Sequence, residues 1–150
     1  MKKCLFYKEN FLQEHLTSST NYQYEVGFNE LGIIEGLKIK LASKCGISPD
    51  LSGAINSRAL LHIDNSYYLS DILVENFLCK TNTSSSTAFR GFGGNQGMMV
   101  IENIIDNIAR SLNKDSSEIR RRNFYQKKKK NITHYLSLIH ISAPTRPERI

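Results

Sequence analysis

The chain has 150 residues, with 40% hydrophobic and 23% charged side chains, enough for one modest domain with a core and ordinary for a globular protein. Twenty Lys and Arg against fourteen Asp and Glu leave a net charge of +6, concentrated in Arg120, Arg121, Arg122 and the run Lys127 to Lys130. Runs of this kind are mostly solvated faces, and no aromatic residues interleave the lysines, which argues against a single-strand nucleic-acid binder. The three cysteines, Cys4, Cys45 and Cys79, are widely spaced and form neither a disulfide framework nor a zinc pattern. Lys8, Glu9 and Asn10 interrupt the opening apolar run, so no signal peptide is expected, and no stretch is apolar enough to span a membrane. The expected compartment is reducing and intracellular, cytoplasmic or peroxisomal, and the sequons at Asn82 and Asn131 are read as chance.

In chain order, residues 1–21 show no sustained period. Tyr22, Tyr24, Val26 and Phe28 alternate with mostly polar residues and predict a half-buried strand. Asn29 to Gly32 reads as a turn. Ile33, Ile34, Leu37, Ile39 and Leu41 predict an antiparallel partner strand, with a bulge at Gly36. After Ser48-Pro49-Asp50, the apolar positions Leu51, Ile55, Leu60, Leu61 and Ile63 suggest a helix. Residues 67–80, YYLSDILVENFLCK, lean towards strand. The polar link Thr81 to Ser86 is either a flexible spacer or a close-packed approach to a site.

Four glycines then stand in the seven positions from Gly91 to Gly97, just before a helix whose face is Ile101, Ile104, Ile105, Ile108 and Leu112. Asp115 and Glu118 form a capping-box pattern at the start of a last helix, anchored by Ile119. The fold class is α+β. Glycines at a helix start let another group approach the backbone and leave N–H groups free for an anion. A phosphate loop would need Gly-Lys-Ser/Thr, and a dinucleotide fingerprint would follow a hydrophobic strand; neither fits. On pattern alone a tight turn against a packed helix accounts for the loop. Phe92 is either core or a stacking surface for a planar ligand. Arg90 either anchors the loop or meets an anion.

The stretch Thr87-Ala88-Phe89-Arg90-Gly91-Phe92-Gly93-Gly94-Asn95-Gln96-Gly97 resembles the signature of the molybdenum-binding domain of the xanthine dehydrogenase family. Further blocks follow the family's order: Arg58 to Tyr67, Leu78 to Asn82, Glu118 to Tyr125 and Thr133 to Tyr135. The likeness covers residues 22–135, read as a partial molybdopterin-binding domain.

The resemblance implies hydroxylation of hypoxanthine or xanthine at a molybdenum-molybdopterin centre. Electrons would leave through 2Fe-2S clusters to FAD and NAD in domains outside this chain. By position, Arg58 would pair with a purine oxygen and Phe92 would stack on the ring. The backbone amide of Arg90 would face the molybdenum, with Gly91, Gly93, Gly94 and Gln96 around the cofactor. No catalytic residue is expected here, because the family's general-base glutamate lies outside these residues. Arg58 tilts the expected substrate from aldehydes, as in the related aldehyde oxidases, towards purines.

Two departures stand out: Asn95 replaces the usual proline, altering helix entry, and Ser57 replaces a glutamate, which would loosen Arg58. The full-length family implies a homodimer. The chain is therefore expected to be an inactive piece of a longer enzyme, with faces exposed where missing elements would pack. The alternatives are an aldehyde-oxidase-type fragment, or a non-catalytic basic binding module from a decayed gene. Residues 136–150 resemble translated sequencing-adapter sequence and are set aside as a non-native tail.

Overall fold

Alternation of apolar and polar residues organises the first half of the chain. The computed structural model describes residues 3–10 as backbone and residues 20–125 in full. Strands β1 (Lys3–Asn10), β2 (Thr20–Phe28) and β3 (Ile34–Gly46) form an antiparallel meander. In β2 the alternation is realised directly: Tyr22, Tyr24, Val26 and Phe28 are buried while Asn21 and Gln23 face outward. Asn29 makes the β2–β3 turn, its Oδ1 accepting from the amides of Leu31 and Ile33 at 3.0 and 3.1 Å. The register slips after Gly27, which faces Gly36, whereas Phe28 faces Ile34; Glu35 is the extra residue. The bulge thus falls beside the glycine where it was expected.

Strand β1 was not foreseen. Its residues, KCLFYKEN, lack a clean period, and their pairing with Asn21 to Phe28 of β2 supplies what propensity does not.

Helix α1 (Ser52–Leu61) is a crossover that returns the chain to β4 (Ile72–Lys80), which lies parallel to β3 and completes the sheet order β1-β2-β3-β4. The apolar pattern misassigned α1's inner face. Leu51 and Leu61 are exposed, and the buried face is Ser52, Ile55, Asn56 and Ala59. Small and polar residues were not recognisable as a packing face. The expected strand over 67–80 begins only at Ile72, because Tyr67 is held by an isolated bridge to Phe124 and stacks on its ring at 5.4 Å.

Helix α2 (Gly94–Leu112) closes the core over the sheet, with Ile101, Ile104, Ile105 and Ile108 fully buried. Each such side chain contributes about 1.5–3 kcal/mol by leaving water. Helix α3 (Ser116–Asn123) follows, with Ile119 buried as expected. Its capping box does not form. Asp115 is the N-cap residue but its side chain makes no cap hydrogen bond, and Glu118 instead pairs with Arg122. No helix among the described residues is long and apolar enough to cross a membrane.

Candidate functional site: the glycine loop and the end of α1

The loop is left-handed at three consecutive residues: Gly91 (φ 92°), Phe92 (φ 47°) and Gly93 (φ 93°). Glycine takes this region freely; phenylalanine does so only under strain that its surroundings must hold. Two loop hydrogen bonds hold it, Phe92 N–H to Phe89 O at 2.9 Å and Gly94 N–H to Gly91 O at 3.0 Å. Gly93 is also the N-cap of α2.

The glycines set how closely α2 meets α1. A Cβ on Gly93 would stand 2.0 Å from the Ile55 carbonyl oxygen, and one on Gly97 would stand 2.1 Å from that of Ala59. Four-residue spacing on both helices makes this one continuous contact, possible only without side chains at positions 93 and 97. Arg58, in the last turn of α1, is thereby carried to the loop. Its Nε lies 3.9 Å from the point where a Gly94 side chain would begin. Arg58 is exposed and free of ion pairs among the described residues. Ser57, before it, donates to the Gly53 carbonyl one turn back at 3.0 Å and does not touch Arg58.

His62 completes this corner and had no assigned role in the sequence reading. Its Nδ1 lies 2.9 Å from the Arg58 carbonyl oxygen, which can only accept, so Nδ1 carries the proton. The bond satisfies one of the carbonyls left over at the helix end. The ring edge packs where a Gly94 Cβ would be, 3.5 Å from Cδ2. The signal was available: a histidine four residues after the arginine, at the helix C-terminus.

Arg90 and Phe89 are exposed and Phe92 is half-buried, so Phe92 is not core. Among the described residues the Arg90 N–H has no acceptor, while its carbonyl receives Asn95 Nδ2 at 3.5 Å. Asn95 is not the cap; it lies in the first turn and folds over Gly91. Gln96 is buried on another side of that turn, lining a groove of about 320 Å³ with Thr20, Tyr22 and Met99. The structure thus gathers Arg58, Gly93 and Gly94 at one corner beside Arg90, Gly91 and Phe92, and sets Gln96 in a separate groove.

The link before the loop is close-packed rather than a spacer. Ser86 N–H donates to Cys45 O at 3.0 Å, and a Cβ on Gly46 would meet Ser84 O at 2.4 Å. Two of the three arginines in the described part of the basic cluster are paired, and Arg121 is exposed. Arg120 pairs with Glu102 and Asp106 at 2.8 Å each, and Arg122 with Glu118. Lys127 to Lys130 lie outside the described residues.

A free amide in a glycine loop, left-handed backbone on three residues and glycines that admit close approach fit an electron-rich cofactor presented to the loop. The molybdopterin cofactor-binding domain family matches residues 1–124, and the chain belongs to it. That membership places it among the molybdenum hydroxylases. Xanthine dehydrogenase/oxidase of Gallus gallus is 44% identical over 113 residues, 75% of this chain and 8% of the relative. Nicotinate hydroxylase of Emericella nidulans is 44% identical over 104 residues, 69% of this chain and 8% of the relative. Among solved structures, aldehyde oxidoreductase from Desulfovibrio desulfuricans superposes with a TM-score of 0.68 at 22% identity, over 74% of this chain and 12% of that one. Quinoline 2-oxidoreductase from Pseudomonas putida gives 0.64 at 24% identity, over 75% and 15%. The fold is therefore that of these oxidoreductases, and the chain spans about a twelfth of its curated relatives.

Proposed function

We propose that this chain is the substrate-facing part of a xanthine-type molybdenum hydroxylase, acting on a purine such as hypoxanthine or xanthine. One observation carries the reading: the Arg58 side chain, unpaired among the described residues, stands at Gly94 on the rim of the glycine loop. An always-charged fork there would pair with a ring oxygen and stabilise the negative charge that builds on the ring during attack. Phe92, held half-exposed in a strained conformation, offers a flat apolar surface for the ring. The Arg90 N–H and the exposed backbone at Gly91 would face the cofactor, with Gly93 and Gly94 holding the loop against α1 behind them; Gln96 joins this set on the family resemblance alone.

When bound, molybdenum-molybdopterin would supply the redox chemistry of hydroxylation, with 2Fe-2S and FAD groups in the rest of the parent as the expected electron acceptors. On the family resemblance the proton-accepting glutamate comes from elsewhere in the parent, and on this reading the chain alone is inactive.

A second reading draws on the nicotinate hydroxylase, which is as similar to this chain as the xanthine enzymes are. Arg58 would then clamp a carboxylate on a pyridine ring. Long-read cDNA through both ends of the coding sequence, followed by assay of the expressed parent on hypoxanthine, nicotinate and an aromatic aldehyde, separates the readings. Hypoxanthine turnover supports the first. Nicotinate turnover alone supports the second. A transcript that stops at Ile150 rejects both.

A further inference from the structure

Strand β4 is the edge of the sheet among the described residues, yet it is built like an interior strand. Edge strands in free domains are short, charged or bulged, because an open row of N–H and C=O groups recruits other strands. Here β4 runs nine residues without proline or glycine. Its pairing with β3 is the one parallel pair in an otherwise antiparallel sheet among the described residues. One face of β4 is covered: Ile72 and Val74 pack on the core and Asn76 donates to the Asn56 carbonyl of α1 at 3.0 Å. The other face carries Leu73 and Phe77, 54% and 48% exposed, and Leu78 at the helix side is 49% exposed. One cross-sheet ion pair, Lys40 with Glu75 at 3.4 Å, lies between the two exposed apolar residues.

We propose that the free edge of β4 pairs with a further strand supplied by the parent polypeptide outside these 150 residues. That strand carries apolar side chains opposite Leu73 and Phe77. The occupant is chosen on length and chemistry. The curated relatives are about twelve times longer than the matched segment, so most of the parent lies outside it. A strand gives what this surface lacks, namely backbone partners for the alternate residues of β4 whose N–H and C=O point away from β3, together with apolar cover at alternate positions. The inference rests on the reading of this chain as part of a longer enzyme, but not on its substrate.

The test is a photo-cross-linker in place of Leu73 in the full-length parent, L73Bpa, with the joined peptide mapped by mass spectrometry. Subunits of two isotopic labels are mixed to separate joining within a chain from joining between chains. The expected product joins Leu73's position to a peptide of the same polypeptide outside the 150 residues. Hydrogen exchange on the wild-type parent, which needs no variant, is expected to find the amides of Ile72–Lys80 slow on both sides of the strand. Cross-linking to residues 126–150, or between two labels, overturns the proposal in favour of this chain's own tail or a second copy. Slow exchange only for amides bonded to β3 overturns it in favour of a true edge. A product no longer than 150 residues overturns the longer-parent reading itself.

Discussion

Gly93 and Gly91 share a left-handed φ but should not tolerate substitution equally. A Cβ on Gly93 meets a backbone oxygen at 2.0 Å, whereas on Gly91 it meets the tip of Asn95, a side chain able to turn away. Gly91→Ala should cost about 1–2 kcal/mol, the price of the conformation. Gly93→Ala should cost clearly more and part α1 from α2, which urea unfolding of the parent would read as a larger loss of midpoint. Asn123 is a second sensitive residue. Its Oδ1 accepts the Ile34 amide at 2.9 Å and its Nδ2 donates to the carbonyls of Gly32 and Ile119 at 2.8 and 2.9 Å. Asn123→Ala leaves these groups buried without partners and should destabilise by about 2–4 kcal/mol. Asn123→Asp should rescue little, because a carboxylate cannot donate to the two carbonyls.

At the scale of elements, α3 is fastened to α2 by one guanidinium. Arg120 reaches Glu102 and Asp106 on α2 and Ser116 on its own helix, and Tyr67 and Asn65 share Glu102 from the turn after α1. The groups are about a third exposed, so the net worth is moderate. Arg120→Ala should cost about 1–2 kcal/mol, and Arg120→Lys should recover only part, since an ammonium cannot span three acceptors as a fork does. The same cluster sets an alkaline limit. Burial, first, and then the Glu102 carboxylate push the Tyr67 phenol well above its ordinary value of 10.0; burial and Asp64 do the same to Tyr125. With the folded values raised, this stability is complete below pH 10.0 and lost as pH rises beyond it, when the unfolded chain's phenols ionise first. Tyr67→Phe should flatten that fall in a series of thermal melts.

At the scale of the molecule, the elements legible in the sequence were those whose side chains followed one period: β2, β3 and above all α2. Strand β1 was illegible because its pairing, not its pattern, makes it a strand. The parallel placement of β4 was illegible because an apolar run does not state its partner. The glycine loop was visible as a loop that admits close approach. That Gly93 and Gly97 fit against Ile55 and Ala59, and so bring Arg58 to it, needed the contact between helices. His62 was given no role although its place four residues after Arg58 was legible; its bond to the Arg58 carbonyl needed the structure. Gln96, named with the loop because it follows it in sequence, turns to a different groove, since neighbours in a helix point a hundred degrees apart.

The most direct measurement is the selectivity of the full-length parent with Arg58→Ala, as kcat/KM for hypoxanthine and for an aromatic aldehyde. If Arg58 reads the purine from the rim of the glycine loop, hypoxanthine turnover falls by about 10²-fold or more while aldehyde turnover stays within a few-fold. Equal losses on both substrates would contradict the account, leaving Arg58 as a surface residue of α1 and the loop as the whole of the site.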